Sequence, residues 1–242
     1  MKQAYFITGT DTDAGKTTVA AAFLYAAMQK GLTTLAMKPV ASGCELTVAG
    51  LRNADALALM AQSSLQRPYQ EVNPYAFAPA IAPHLAAKAA GKGIQLDELI
   101  TAAQAILDQP AAFTLIEGAG GWRVPISDKA YLSDLAKALK LPVILVVGIK
   151  LGCINHALLT AEAIRNDGLE IAGWVANQGD PNCAGWDAMI ASLKQQMPAP
   201  CLGEIPYLEQ ASVEAVASYL LTSFLLRPPE RKSHLHGGVH CR

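Results

Sequence analysis

Charge is sparse in this 242-residue chain: 16% of residues are Asp, Glu, Lys or Arg, and the formal net charge is −1. So near-neutral a balance gives no bulk attraction for a nucleic acid or an anionic membrane surface, and neither is expected as a partner. No apolar run reaches the ~18 residues of a spanning helix, so no transmembrane segment is expected. The five cysteines (44, 153, 183, 201, 241) form no Cys-x-x-Cys pair, which fits reduced thiols in a cytoplasmic protein. Met1-Lys2-Gln3 runs straight into a strand pattern, so no signal peptide is expected. There is no internal repeat and no flexible linker before about residue 225. What is abundant is apolar residue, 52% of the chain, enough for one large, well-filled domain.

One stretch organises the rest: Gly9-Thr10-Asp11-Thr12-Asp13-Ala14-Gly15-Lys16-Thr17. It follows the apolar run Ala4-Tyr5-Phe6-Ile7 and opens a helical pattern over 18–30. Strand, glycine loop, Gly-Lys-Thr and helix are the context of a phosphate-binding P-loop. The N–H groups of the loop and first helical turn point at one place, and the helix dipole adds partial positive charge there. Lys16 is placed to reach the β- and γ-phosphates, and Thr17 to offer a hydroxyl to Mg²⁺. Five residues separate Gly9 from Gly15 where four are usual, and Thr10 stands where the first glycine would be.

Further candidates follow strands, at the edge where open α/β sheets bind ligands. A strand over 32–37 delivers Lys38, which Pro39 biases away from helical geometry. Lys38 is either a ligand at that edge or a solvated loop lysine; Ser42 is either a site residue or a turn former. Asn53 is a good N-cap for a helix over 53–62. Asp55, in its first turn, either complements the helix dipole or serves as a Mg²⁺ carboxylate. Residues 63–93, with prolines at 68, 74, 79 and 83, read as a loop with short helical turns that walls the substrate site. His84 within it reads as a hydrogen-bonded structural residue. After a helix over 96–107, a buried strand over 113–116 ends in Glu117-Gly118-Ala119-Gly120-Gly121-Trp122. Glu117 matches a Walker-B-like carboxylate that works with the P-loop Thr on Mg²⁺, and the glycines let backbone approach a ligand closely.

The run 141–148 has the continuous apolar character of a central parallel strand. Lys150-Leu151-Gly152-Cys153-Ile154-Asn155 come next, ahead of a helix over 157–166, as a natural anion seat. Cys153 there is either a thiol of lowered pKa or a buried apolar side chain. A strand over 169–175 leads to Asn177, which either reads a purine edge or forms a turn. A helix over 184–196, a strand over 201–205 and an apolar helix over 213–226 follow. Residues 227–242 lack periodicity and read as a disordered tail, and its histidines are not expected to hold a metal. The alternation predicts an α/β fold: a doubly wound, mostly parallel sheet of the P-loop NTPase type, in one domain over 1–226. A phosphate cradle with two extra lysines and several carboxylates suits phosphoryl transfer to an acidic acceptor.

Several motifs together make a sharper match. Gly-Thr-Asp-Thr-Asp-Ala-Gly-Lys-Thr at 9–17, Lys-Pro-Val-Ala-Ser-Gly at 38–43, Leu-Arg-Asn-Ala-Asp-Ala at 51–56, Val-Asn-Pro-Tyr at 72–75, Glu-Gly-Ala-Gly-Gly-Trp at 117–122 and Lys-Leu-Gly-Cys-Ile-Asn-His-Ala at 150–157 resemble the dethiobiotin synthetase family. The resemblance covers about residues 3–208. It implies a ligase that takes ATP, CO₂ and 7,8-diaminononanoate to dethiobiotin, ADP and phosphate, with Mg²⁺ as cofactor. It implies catalytic roles for Lys16, Lys38 and Thr12, and metal ligation by Thr17, Asp55 and Glu117. ATP contacts are implied for Asp13, Ala14, Gly15, Thr18, Gly118, Ala119 and Gly120, and at the adenine for Asn177, Gln178, Pro206, Tyr207 and Leu208. Ser42 is implied at the diamine. Leu151, Gly152, Cys153, Ile154 and Asn155 are implied to receive the substrate carboxylate from the other subunit of a homodimer. Switch ATPases of the ParA/MinD kind fit less well, because their signature lysine position is Asp11 here. An amidase-type synthetase would need a glutaminase region for which the chain is too short.

Overall fold

A computed structural model describes residues 2–221 and 223. The chain enters through β1 (Gln3–Gly9), turns into α1 (Lys16–Gln29) and returns through β2 (Thr34–Met37). A less regular stretch follows: β3 (Val40–Ala41), the hairpin of β4 (Glu45–Thr47) and β5 (Gly50–Arg52), α2 (Ala54–Ala61), α3 (Tyr69–Val72), β6 (Tyr75–Ala76) and α4 (Pro83–Ala89). Regular alternation resumes with α5 (Leu96–Leu107), β7 (Phe113–Glu117), α6 (Leu132–Leu139), β8 (Val143–Gly148) and α7 (Cys153–Asn166). It ends with β9 (Ile171–Asn177), α8 (Trp186–Gln196), β10 (Cys201–Ile205) and α9 (Val213–Ala217).

Six strands form one sheet in the order β10-β9-β8-β1-β7-β2, and every adjacent pair is parallel. Side chains alternate faces along each strand. Tyr5 and Ile7 of β1 therefore enter one apolar cluster with Phe23 of α1, Leu59 of α2 and Val216 of α9. Phe6, between them, enters a second cluster with Leu99, Leu135, Ala157 and Leu193 of α5 to α8. Two cores on opposite faces are what a doubly wound sheet requires, and they explain the unbroken apolar runs of its strands.

Register brings the site together. Gly9 of β1 stands opposite Val146 of β8, Ile7 opposite Glu117 of β7, and Met37 of β2 opposite Ile116. The loops after β1, β2, β7 and β8 thus leave the sheet side by side.

Several boundaries differ from the sequence reading. α1 begins at Lys16, two residues early, because Gly15 adopts a left-handed N-cap with φ 90°. α7 begins at Cys153 for the same reason, after Gly152 at φ 92°. The helix over 213–226 is corrected: α9 ends at Ala217, and the chain turns so that Leu220 bridges to Gly203 of β10. The tail over 227–242, with its expected disorder, lies outside the described residues.

Candidate active site

The glycine loop is held by its surroundings before any ligand arrives. The Thr10 N–H donates to Val146 O at 2.9 Å, and its hydroxyl accepts from the Gly148 N–H at 3.3 Å. A side chain at Gly9 would meet Asp11 O, Lys16 Cγ and Ala14 Cβ at 3.1–3.2 Å, so the first glycine belongs one residue before Thr10. Asp13 and Gly15 have φ of 58° and 90°, flanking Ala14 in a turn that concentrates backbone N–H groups. Asp tolerates the left-handed region better than most side chains, which suits it to this turn. Asn177, at the end of β9, donates its amide to Ala14 O at 3.1 Å. This bond braces the loop from the end of β9, so Asn177 is more than a turn former.

Lys16 is buried, and its ammonium rests on Asp11 O at 3.0 Å. Burial lowers its pKa, and the neighbouring Lys38 adds to the effect. Asp11 in turn accepts from the Thr12 N–H at 2.8 Å and pairs with Lys150 at 3.1 Å, linking the P-loop to the segment after β8.

Lys38 is the best-defined group of the site. It is 3% exposed, which rules out the solvated-lysine reading. Its Nζ lies 2.6 Å from Glu117 Oε1, 2.9 Å from Asp55 Oδ2 and 3.1 Å from Gly118 O, one acceptor for each ammonium proton. Burial pushes its pKa down, but Glu117 and Asp55 together outweigh burial and raise it. The Asp55 carboxyl is pushed up by partial burial, yet the Lys38 charge and the hydrogen bond from Lys38 hold it below its ordinary value. Thr17 donates its hydroxyl to Glu117 Oε1 at 2.8 Å, and Glu117 Oε2 is buried with no hydrogen-bond partner among the described residues.

An open cavity of about 830 Å³ lies over these groups. It brings together Thr12, Asp13, Gly15, Lys16, Thr17 and Thr18 from the loop, with Lys38, Ser42, Asp55, Ala119 and Gly120 from across the sheet edge. Ala14, Glu117 and Gly118 lie beneath that surface, not on it. Gln178 and the start of the 206–208 segment stand together beside the loop: Gln178 N–H donates to Ile205 O at 3.0 Å, and Tyr207 N–H donates to Gln178 Oε1 at 3.2 Å. Leu151, Gly152, Cys153, Ile154 and Asn155 do not line this chain's cavity. The Cys153 thiol is buried 3.6 Å from Met189 Sδ, so its side chain is apolar packing.

Sequence reasoning missed Arg123, Val124 and Pro125, which line the far wall with Ile81 and Pro83. The residues 80–83 do belong to the stretch expected to wall the site. Arg123 pairs both guanidinium nitrogens with Asp167 at 2.6 and 3.0 Å, and Trp122 donates to the same carboxylate at 2.8 Å. No local pattern announces a contact across 44 residues. His84 also departs from expectation, since its buried Nδ1 has no partner among the described residues.

The sheet, the loop and the buried lysine–carboxylate cluster define a P-loop nucleotide-binding protein. The MinC:MinD cell division protein complex of Aquifex aeolicus shares the fold, with a TM-score of 0.60 over 95% of this chain and 98% of that one at 13% identity. A ParA family ATPase from Chlorobium tepidum does so with a TM-score of 0.54 over 92% of each chain at 14% identity. Those likenesses are of fold alone. A family model described as an AAA domain matches residues 3–215. ATP-dependent dethiobiotin synthetase BioD of Pseudomonas aeruginosa is 58% identical over 217 residues, 90% of this chain and 95% of that protein. The same enzyme of Cellvibrio japonicus is 57% identical over 219 residues, 90% of this chain and 96% of its own length. The chain belongs to the ATP-dependent dethiobiotin synthetase family.

Proposed function

We propose that this chain uses ATP to close the ureido ring of dethiobiotin from 7,8-diaminononanoate and CO₂, releasing ADP and phosphate. The observation that carries this is Lys38, buried beside the P-loop between Asp55 and Glu117. One substrate amine adds to CO₂ and loses a proton, giving a carbamate. A carbamate oxygen attacks the γ-phosphorus of ATP, and ADP leaves. The second amine then attacks the activated carbonyl carbon, expelling phosphate and closing the ring. Lys16 and Lys38 bear cationic charge where phosphoryl and carbamate oxygens gather, so they stabilise charge that builds in the transfer. The P-loop N–H groups hold the phosphates, and Thr12 and Ser42 stand on the acceptor side.

Mg²⁺ belongs to this reading. The Thr17 hydroxyl, the Asp55 carboxylate and the unpartnered Glu117 Oε2 are hard oxygen donors at the floor of a phosphate site. Mg²⁺ is held by one or two carboxylates plus substrate phosphates and water, so this set fits. Bound there, it would neutralise charge on the phosphates. The reading also takes residues 1–226 as one catalytic domain in a reduced, cytoplasmic setting. It makes the enzyme a homodimer in which Leu151 to Asn155 serve the partner's site. Leu151, 97% exposed just ahead of α7, supports that role. Among the described residues no helix is long and apolar enough to cross a membrane.

The test is product mass after incubation with 7,8-diaminononanoate, bicarbonate and Mg-ATP. The expected product is heavier than the diamine by one carbonyl less two hydrogens, with one phosphate released per molecule. Phosphate without that product would overturn the acceptor.

A further inference from the structure

Lys38 and Asp55 come from different elements, the end of β2 and the first turn of α2. The chain between them runs through β4, whose residues are all exposed, and is tied back by β3 on β6 and by Asn53 Nδ2 donating to Ser42 O at 3.4 Å. What holds them is behind the site. The Lys38 N–H donates to Val72 O at 2.9 Å, and Asn73 Nδ2 donates to Lys38 O at 2.6 Å. Asn73 Oδ1 accepts from the Tyr69 hydroxyl at 2.9 Å, and that hydroxyl accepts from the Asn53 N–H at 2.7 Å. Asn53 is the N-cap of α2, with its side chain accepting from the Ala56 N–H. A continuous chain of hydrogen bonds therefore runs from the backbone of Lys38 to the helix start that carries Asp55. Tyr69 and Asn73 are 8% and 2% exposed, and neither touches the cavity. Arg52 closes the outside, its guanidinium 4.1 Å from the centre of the Tyr69 ring. Burial raises the Tyr69 pKa, which keeps the phenol a neutral donor.

Buried polar side chains persist where they are fully paired, and such pairing specifies one arrangement. We infer that Tyr69 and Asn73 are positioning residues, whose hydroxyl–amide bridge sets the distance between Lys38 and Asp55. This rests on the reading of Lys38 and Asp55 as parts of the phosphoryl-transfer site, but the brace itself can be measured apart from any reaction.

The experiment is Tyr69→Phe, which removes one oxygen and keeps the ring under Arg52. A crystal structure of the variant reads the Lys38–Asp55 separation, and kinetics on the full chain read turnover and KM for ATP. The expected result is an ion pair opened beyond hydrogen-bond length, turnover down roughly tenfold, and KM for ATP within about twofold. An unchanged ion pair, with or without a loss of turnover, overturns the inference. An opened ion pair in a protein whose wild type makes no dethiobiotin upholds the brace and refutes the reaction instead. Should Tyr69→Phe not fold, Asn73→Ala breaks the same bridge from its other end and is judged by the same three numbers.

Discussion

At the end of the cavity that the proposed function gives to the phosphates, near-consecutive residues of one loop form the lining. At the other end, which the proposed function gives to the acceptor, Lys38, Ser42, Asp55, Ile81, Gly120 and Arg123 line the cavity from several segments. The first end is set by local conformation, with Gly15 in a left-handed turn and Asn177 against it. The second is set by long-range pairing of charges and buried hydrogen bonds. A P-loop can therefore recur on many proteins of this fold, while the acceptor end distinguishes one reaction from another.

The strongest way to break the comparison is Lys38→Ala. Turnover should fall by about 2–4 kcal/mol of transition-state stabilisation. Removing the cation also leaves Glu117 buried without its counter-charge, held only by the Thr17 hydroxyl, which costs about 3–5 kcal/mol of folding stability. Lys38→Ala combined with Glu117→Gln should recover most of the melting temperature and none of the turnover. Recovery of both would remove Lys38 from the chemistry.

At the phosphate end the matching change is Gly15→Ala. An added Cβ would sit 2.2 Å from Asn177 Nδ2 at a φ of 90°. The left-handed strain alone is worth about 1–2 kcal/mol, so KM for ATP should rise on the order of tenfold. KM for the diamine should move less. Equal changes in both would mean that the two ends are one unit.

The smallest effect is expected at Asp167→Asn, which loosens the Arg123 wall. The Arg123 side chain is 45% exposed, so screening limits the pair to about 0.5–1 kcal/mol. Burial raises the Asp167 pKa, but hydrogen bonds from Arg123 and Trp122 and nearby positive charge bring it below its ordinary value. A depressed carboxyl stabilises fully above the unfolded-state pKa of ~3.9, and the benefit is lost as pH falls through the lower folded value. Melting curves of wild type and variant should differ at pH 7 and converge as the pH falls through the lowered folded-state value. A gap that persists at low pH would assign the effect to shape rather than charge.

The same contrast explains what could be read from the sequence. The P-loop was legible because strand, glycines and Lys16 are contiguous. Lys38 and Glu117 were legible as candidates because each directly follows an apolar strand run. Whether Lys38 was buried was not, since that depends on Asp55, Glu117 and the Asn73 brace arriving from elsewhere. Arg123 gave no signal because its partner is Asp167, at the far end of α7. The early starts of α1 and α7 were missed because a left-handed glycine can begin a helix as well as end one. The residues of α9 carry an apolar pattern past Ala217, but packing Leu220 on Gly203 bends the chain first.

The strand bearing the P-loop precedes both of its sheet partners by more than a hundred residues. Gln3–Gly9 leaves the ribosome before either neighbour exists, because its partners are Phe113–Glu117 and Val143–Gly148. At 5–20 residues per second, that gap is on the order of ten seconds. For that time an apolar segment with open edges has no sheet partner to join, and only helices such as α1 and α2 to lean on. Nascent chains should therefore be most vulnerable to misassociation before about residue 150, and the nucleotide site becomes possible only once β8 has emerged.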